Sequence, residues 1–335
     1  MELYHASPWV PAEWIKAHGV EPRGLWYDED LNLGATTLSA GTCAFAQAVV
    51  RFADIHPEKA VLLTTHCDQL RRGFDTFAGS PPGRAFLFNL PATWQSSVAE
   101  RLYDSELERL SRFLLALGGH LPTPDGLRHT IDAYARARKT LLAHGETVSA
   151  RAYAEAIARF HWDGSPELVT EEWAARDSAI PIALLGGPLP RAQWHLIEAI
   201  ERTGARVVLN GTEAGERSLS NIPSSEAEPT PDAAPVSSLR MWLARSYVRN
   251  CADVFQRPNT PLYAWLKERL AARRVRGIVL WHFVGCDLWR AEAQSLREAF
   301  GLPLLLLDAA DAPLASVRDR GRVQAFVESL AQERA

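Results

Sequence analysis

Short apolar, β-branched runs recur along the chain, each stopped by a turn or breaker and followed by a stretch in which apolar positions return every third or fourth residue. The first pattern reads as a strand buried on both faces of a parallel sheet, the second as an amphipathic helix. Strands are expected at Ala60 to Thr64, Ala85 to Asn89, from Ile180 into the turn Gly186-Gly187-Pro188, at Ala205 to Gly211, from Gly277, and at Leu302 to Asp308. Helices are expected after Cys43, from Ser97 to Leu117, from the start signal Thr123-Pro124-Asp125, and from Ser149 to Phe160. Further helices should run from Gln193 to Thr203, Leu239 to Val248, Pro261 to Ala272 and Arg318 to Leu330. The opening stretch from Trp9 to Arg23 is turn-rich with one short helix ended by Gly19, and Leu31 to Ser39 is expected to be a loop.

Alternation of these elements predicts the α/β class. At 335 residues the chain is long enough for two domains, and 47 % hydrophobic residues supply a large core. The expected division is residues 1–170, carrying a helical segment over 93–160, and residues 178–335. Residues 218–238, rich in Pro, Ser, Ala and Glu, read as a flexible insertion within the second domain, because β/α units continue on both sides of them.

Charge narrows the partners. The formal net charge is -4, with no polybasic run, so neither nucleic acid nor an anionic membrane is an expected partner. No stretch of about 18 apolar residues is present, and the opening Met-Glu-Leu-Tyr-His-Ala-Ser-Pro lacks the features of a secretory signal, so a cytoplasmic protein is expected.

Only four cysteines occur, and two share a context: Ala60-Val-Leu-Leu-Thr-Thr-His-Cys67-Asp68 and Gly277-Ile-Val-Leu-Trp-His-Phe-Val-Gly-Cys286-Asp287. In each, an apolar strand ends in a Cys-Asp pair and runs into an Arg-bearing helical segment. A thiol there sits at the carboxyl end of a strand, where open α/β sheets bind ligands, and at a helix N-terminus, where backbone N–H groups favour a thiolate. Cys43 also precedes a helix. Three thiols from separate elements are a poor zinc site, which takes four ligands, usually from closely spaced pairs. They suit an iron-sulfur cluster better, one iron of a cubane keeping an exchangeable position. The competing reading is that all three are small core residues. Cys251 reads as structural. Asp68 and Asp287 are as readily helix caps as redox groups, and His66 and His282 either proton donors or core histidines.

The words around these cysteines resemble those of the 2-hydroxyacyl-CoA dehydratase and benzoyl-CoA reductase family. The opening "VPAEWIKAHGVEPRGL", the cysteine words "TCAFAQAVVRF" and "VLLTTHCDQLRR", and the strand "FLFNLP" are similar to the family's first half. "IALLGGPLP", "LIEAIERTGARVV", "GIVLWHFVGCDLWRAEAQSLREAFGLPLLLLD" and "RGRVQAFVESL" follow in the order of its second half. The resemblance implies two Rossmann-like (flavodoxin-like) parallel-sheet domains with a [4Fe-4S] cluster in the cleft between them, held by Cys43, Cys67 and Cys286. It also implies a paralogous second subunit, a separate ATP-dependent iron-sulfur activator protein, and an acyl-CoA substrate. The chain itself has no G-x-x-x-x-G-K-[ST] phosphate loop. The implied chemistry is one-electron reduction of a coenzyme A thioester to a ketyl-type radical, followed by loss of hydroxide in the dehydratases or ring reduction in the reductases.

His18 stands where the family has a small residue close to the expected pocket, which makes it the candidate catalytic acid/base. The loop after Gly211 carries Thr212-Glu213 and no cysteine. Gly186 and Gly187 form either a backbone N–H cradle for a coenzyme A phosphate or a plain tight turn, and Arg217, Arg249 and Arg257 are candidate phosphate clamps. A noncatalytic companion that relays electrons to a larger paralogue is the alternative to a catalytic subunit.

Overall fold

The computed structural model describes residues 1–29, 31, 42–77, 83–167, 178–220, 234–309 and 317–332. Two four-stranded, wholly parallel sheets organise it. The first takes β1 (Glu2–His5), β2 (Glu21–Gly24), β3 (Ala60–Thr64) and β4 (Ala85–Phe88) in the order β2-β1-β3-β4. The second takes β5 (Ile180–Gly186), β6 (Ala205–Gly211), β7 (Gly277–Phe283) and β8 (Leu304–Ala309) in the order β6-β5-β7-β8. The two orders are the same pattern used twice, the flavodoxin-like arrangement expected. In each sheet the strand order reverses beside the first strand, and ligands of open parallel sheets bind outside the carboxyl ends of the strands at that reversal.

The central strands β3 and β7 are buried along their whole length, which explains their continuous apolar sequence. Helices α1 (Ala12–Ala17), α2 (Ala44–Ile55) and α3 (Asp68–Thr76) belong to the first half. They are followed by the long α4 (Ser97–Ala116), α5 (Pro124–His144) and α6 (Ala150–Asp163). Ser96, Thr123 and Ser149 cap these last three, each side-chain oxygen accepting a backbone N–H three residues on. The second half adds α7 (His195–Glu201), α8 (Val236–Asn250), α9 (Thr260–Ala272), α10 (Asp287–Phe300) and α11 (Val317–Gln332).

Two findings depart from the sequence reading. The opening segment contributes two strands, β1 and β2, as well as its short helix. And α8, expected within the second half, packs against α4 and α5 of the first. Its Leu239, Trp242, Leu243, Tyr247 and Val248 join the core formed by Leu3, Trp9, Tyr103 and Leu107. A buried network fixes it: the Arg138 guanidinium of α5 donates to Glu13 of α1 and, at 3.0 Å, to the Tyr247 hydroxyl, which donates at 2.8 Å to Glu13. The expected insertion 218–238 is described at its ends only, where Ser218, Leu219 and Ala234 are buried. Residues 221–233 lie outside the described residues, as does the expected Leu31–Ser39 loop beyond Leu31.

The halves share a core. Val61 and Leu63 of β3 lie in one apolar cluster with Leu184 of β5 and Trp281 of β7, and the Phe45 ring of α2 stacks on Phe283 at 6.0 Å between centroids. No described helix is long and apolar enough to cross a membrane.

Candidate functional site

The carboxyl ends of β3 and β7 deliver the two matching cysteine motifs. After β3, Thr65-His66 leads to Cys67, the N-cap of α3; after β7, the turn Val284-Gly285 leads to Cys286, the N-cap of α10. Gly285 adopts φ of +90°, which closes the turn and brings Cys286 N–H to the Phe283 carbonyl at 2.9 Å. Cys43 is the N-cap of α2, its Sγ accepting the Ala46 N–H at 3.4 Å. A Cβ built on Gly285 would lie 3.7 Å from the Cys43 Cβ, so the motifs of the two halves come into van der Waals contact.

All three thiols line one cavity of about 360 Å3. Phe45, Leu70, Val254, Phe255, Phe283 and Trp289 give it apolar walls, while Asp68, Glu213, Asp253 and Asp287 place carboxylates around it. Burial pushes each thiol up from its ordinary pKa, Cys286 to about 12, although the N–H groups of Ala46, Leu70 and Trp289 pull the other way. Desolvation therefore outweighs the helix N-termini at these thiols, and a bound cation would favour the thiolate form.

The donor set decides which cation group fits. Among the described residues no three His, Cys, Asp or Glu side chains close on a point that a single metal ion would occupy. A cluster spreads its protein ligands over separate irons, so it needs a shared cavity rather than a common point. Three soft donors around an apolar-walled cavity fit that requirement.

Behind the thiols lies a polar layer. The ring of His66, 5 % exposed, shares Nδ1 hydrogen bonding with the Thr64 hydroxyl, and its Nε2 stands 3.6 Å from Glu213 Oε1. Glu213 is also 5 % exposed; its backbone N–H is held by the Gly187 carbonyl at 3.1 Å, but its Oε1 accepts no hydrogen bond. Arg217 is 2 % exposed and ion-paired with Asp253. It also donates to the carbonyls of Gly211 at 3.3 Å, Ala252 at 2.9 Å and Gly186 at 3.3 Å, with its guanidinium 4.8 Å from the Trp289 ring.

Several sequence expectations meet a different arrangement. His18 does not line the cavity. It is fully buried at the end of α1, bonded to the Trp14 carbonyl at 2.7 Å and to Ser111 Oγ of α4 at 2.8 Å, and desolvation holds its pKa below the ordinary value. Arg217, 2 % exposed, commits four of its five N–H donors to Asp253 and the carbonyls of Gly186, Gly211 and Ala252, which ties it to the cavity wall. The Gly187 N–H is likewise committed, to the Trp281 carbonyl at 3.1 Å, and Gly186 at φ of +132° lies against that same carbonyl. Of the two sequence readings, the tight turn is the one seen, and it sets Gly187 beside the Cys286 sulfur. Arg249 pairs with Glu100 across α4 and α8. Arg257 lines the cavity while pairing with Glu292 at 2.9 Å. Cys251 is buried in the core around α8, and His282 faces Asp308 on the neighbouring strand at 2.7 Å, both outside the cavity lining.

Glu213 and Asp253 were not singled out from sequence. The signal for Glu213 was its place, two residues beyond the end of an apolar strand in the second half, where a charged side chain reaches the binding edge of the sheet.

Comparison with curated proteins gives no match. The family model for the 2-hydroxyglutaryl-CoA dehydratase, D-component, matches residues 9–330, nearly the whole chain and every element that borders the cavity. With paired flavodoxin-like sheets and three cysteines at their carboxyl edges, the chain belongs to the 2-hydroxyglutaryl-CoA dehydratase D-component family.

Proposed function

We propose that this protein is the [4Fe-4S] subunit of a 2-hydroxyacyl-CoA dehydratase or benzoyl-CoA reductase type enzyme, with Cys43, Cys67 and Cys286 as cluster ligands. The observation that carries this reading is the meeting of the three thiols, distant in sequence, on one cavity between the two sheets. When bound, the cluster supplies low-potential single electrons for reduction of a coenzyme A thioester.

The chain's own residues suit that task. Phe45, Phe283 and Trp289 give the sulfurs apolar walls, and the Ala46 N–H donates to Cys43 Sγ at 3.4 Å. Surrounding carboxylates disfavour added negative charge and so hold the reduction potential low. Arg217 ties the ends of β5 and β6 to the Asp253 loop, fixing the cavity wall. The partners proposed are a paralogous subunit, an ATP-dependent iron-sulfur activator and the acyl-CoA itself, in the cytoplasm. A companion role, relaying electrons to a larger paralogue, is favoured by one feature: Glu213 places a buried carboxylate in the cavity, able to take a coordination position that a substrate would need.

Serine substitution after anaerobic reconstitution with iron and sulfide tests the reading. Iron and the visible absorption should be lost at Cys43, Cys67 and Cys286 and retained at Cys251. Retention in all four variants would reject it.

A further inference from the structure

Resting on the cluster reading above, one carboxylate asks for a role. The two halves repeat one topology, so β6 in the second sheet is the counterpart of β2 in the first, and β7 that of β3. Among the side chains lining the cavity, each half contributes two from equivalent connections. The first sends Cys43, from the connection after β2, and Cys67, after β3. The second sends Glu213, after β6, and Cys286, after β7.

Glu213 is the member of this set that is not a thiol, and no hydrogen bond from the described residues satisfies its buried Oε1. A buried carboxylate needs a cationic or hydrogen-bonding partner to offset its lost hydration. Arg217, the buried cation nearby in sequence, is spent on Asp253 and three carbonyls. The His66 Nε2, at 3.6 Å, stands within ion-pair distance of Oε1 when the ring is protonated but beyond hydrogen-bond range, and among the described residues Oε1 has no hydrogen-bond partner. The backbone N–H of Glu213 is anchored on the Gly187 carbonyl, so the side chain is held at the cavity wall, beside a turn where a Cβ on Gly187 would lie 3.8 Å from the Cys286 sulfur. The electrostatic influence of Glu213 reaches all three thiols, consistent with a position among them.

We propose that Glu213 is the fourth protein ligand of the cluster, its carboxylate donating an oxygen lone pair to the iron that the three cysteines leave open. One Fe–O bond forms from an oxygen lone pair, and no electron changes hands. The donor set becomes two plus two across the pseudo-symmetric halves, and the resting cluster has no iron free for substrate. An oxygen donor binds iron less tightly than thiolate, so this corner is the one to open first.

The test is oxidative removal of that iron. A cubane with an unprotected iron loses it to ferricyanide and leaves a paramagnetic three-iron cluster, counted by electron paramagnetic resonance and by released iron. Reconstituted wild-type protein, Glu213→Gln and Glu213→Cys are treated alike, with circular dichroism confirming the fold. The three-iron signal should form at least about tenfold faster in Glu213→Gln than in wild type, the low end of what loss of even an outer-sphere partner costs a metal site. Glu213→Cys should be as resistant as wild type or more so. Equal rates in wild type and Glu213→Gln would overturn the assignment while leaving the three-cysteine cluster standing. Wild-type protein that takes up no cluster would remove both.

Discussion

Arg217 offers the sharpest separation between a side chain that builds the site and one that binds substrate. Replacing it by alanine strands the Asp253 carboxylate, 3 % exposed, with, among the described residues, only the Phe255 N–H at 2.8 Å as a remaining donor. It also orphans the carbonyls of Gly186, Gly211 and Ala252 and removes the cation from the Trp289 face. Breaking a buried ion pair from one side costs roughly 3–5 kcal/mol. Unmade hydrogen bonds at buried carbonyls cost about 1–3 kcal/mol each where water cannot enter, so the expected loss for Arg217→Ala is at least about 3 kcal/mol. Arg217→Lys keeps the charge but not the forked donors and should fall between wild type and alanine. The double variant Arg217→Met, Asp253→Leu should recover most of the loss, because no charge is then left buried. Urea unfolding followed by tryptophan fluorescence measures all three. An Arg217→Ala protein within about 1 kcal/mol of wild type, weakened only in coenzyme A binding, would refute the structural assignment.

Gly186→Ala should cost at least about 3 kcal/mol or prevent folding, since the new Cβ would sit 1.8 Å from the Trp281 carbonyl oxygen at a φ of +132°. Gly187→Ala, whose nearest contact is 3.7 Å, should stay close to wild type in urea midpoint. His18→Ala should lose about 1–3 kcal/mol from its two buried hydrogen bonds and leave iron content unchanged; loss of iron with stability intact would restore His18 to the site. Burial lowers the His5 pKa from 6.5 to about 4, so below pH 6.5 the unfolded chain takes up a proton that the folded one refuses. Its contribution is complete above that pH and is lost as pH falls toward 4, roughly 2 kcal/mol between pH 7 and pH 5. His5→Gln should therefore flatten the stability profile over that interval, and an unchanged slope would count against it.

Strands buried on both faces were the legible part of the fold. β3 runs between the residues read from sequence because it is a buried apolar run, and β6 does so on its Val207-Val208-Leu209 centre, although Arg206 and Asn210 flank it at the sheet edge. β1 and β2 escaped notice because they are four residues each and β2, at the sheet edge, reads Glu-Pro-Arg-Gly, with no apolar signature. The partner of α8 was hidden for a different reason. Its apolar face shows that it packs, but the choice of α4 and α5 rests on Tyr247 meeting Glu13 and Arg138 from distant positions. At the site, the repeated Cys-Asp context exposed Cys67 and Cys286, since both follow the same strand of the repeated topology. Glu213 lacked such a matching word, and His18 was placed by position along the chain, whereas α1 turns it toward Ser111.

Anaerobic crystals of reconstituted protein, measured on both sides of the iron absorption edge, address the central claim most directly. Anomalous density is expected for a compact group of about four irons in the cavity between the sheets, bonded to the sulfurs of Cys43, Cys67 and Cys286. Iron bound elsewhere, or fully reconstituted protein whose three thiols contact no metal, would contradict it.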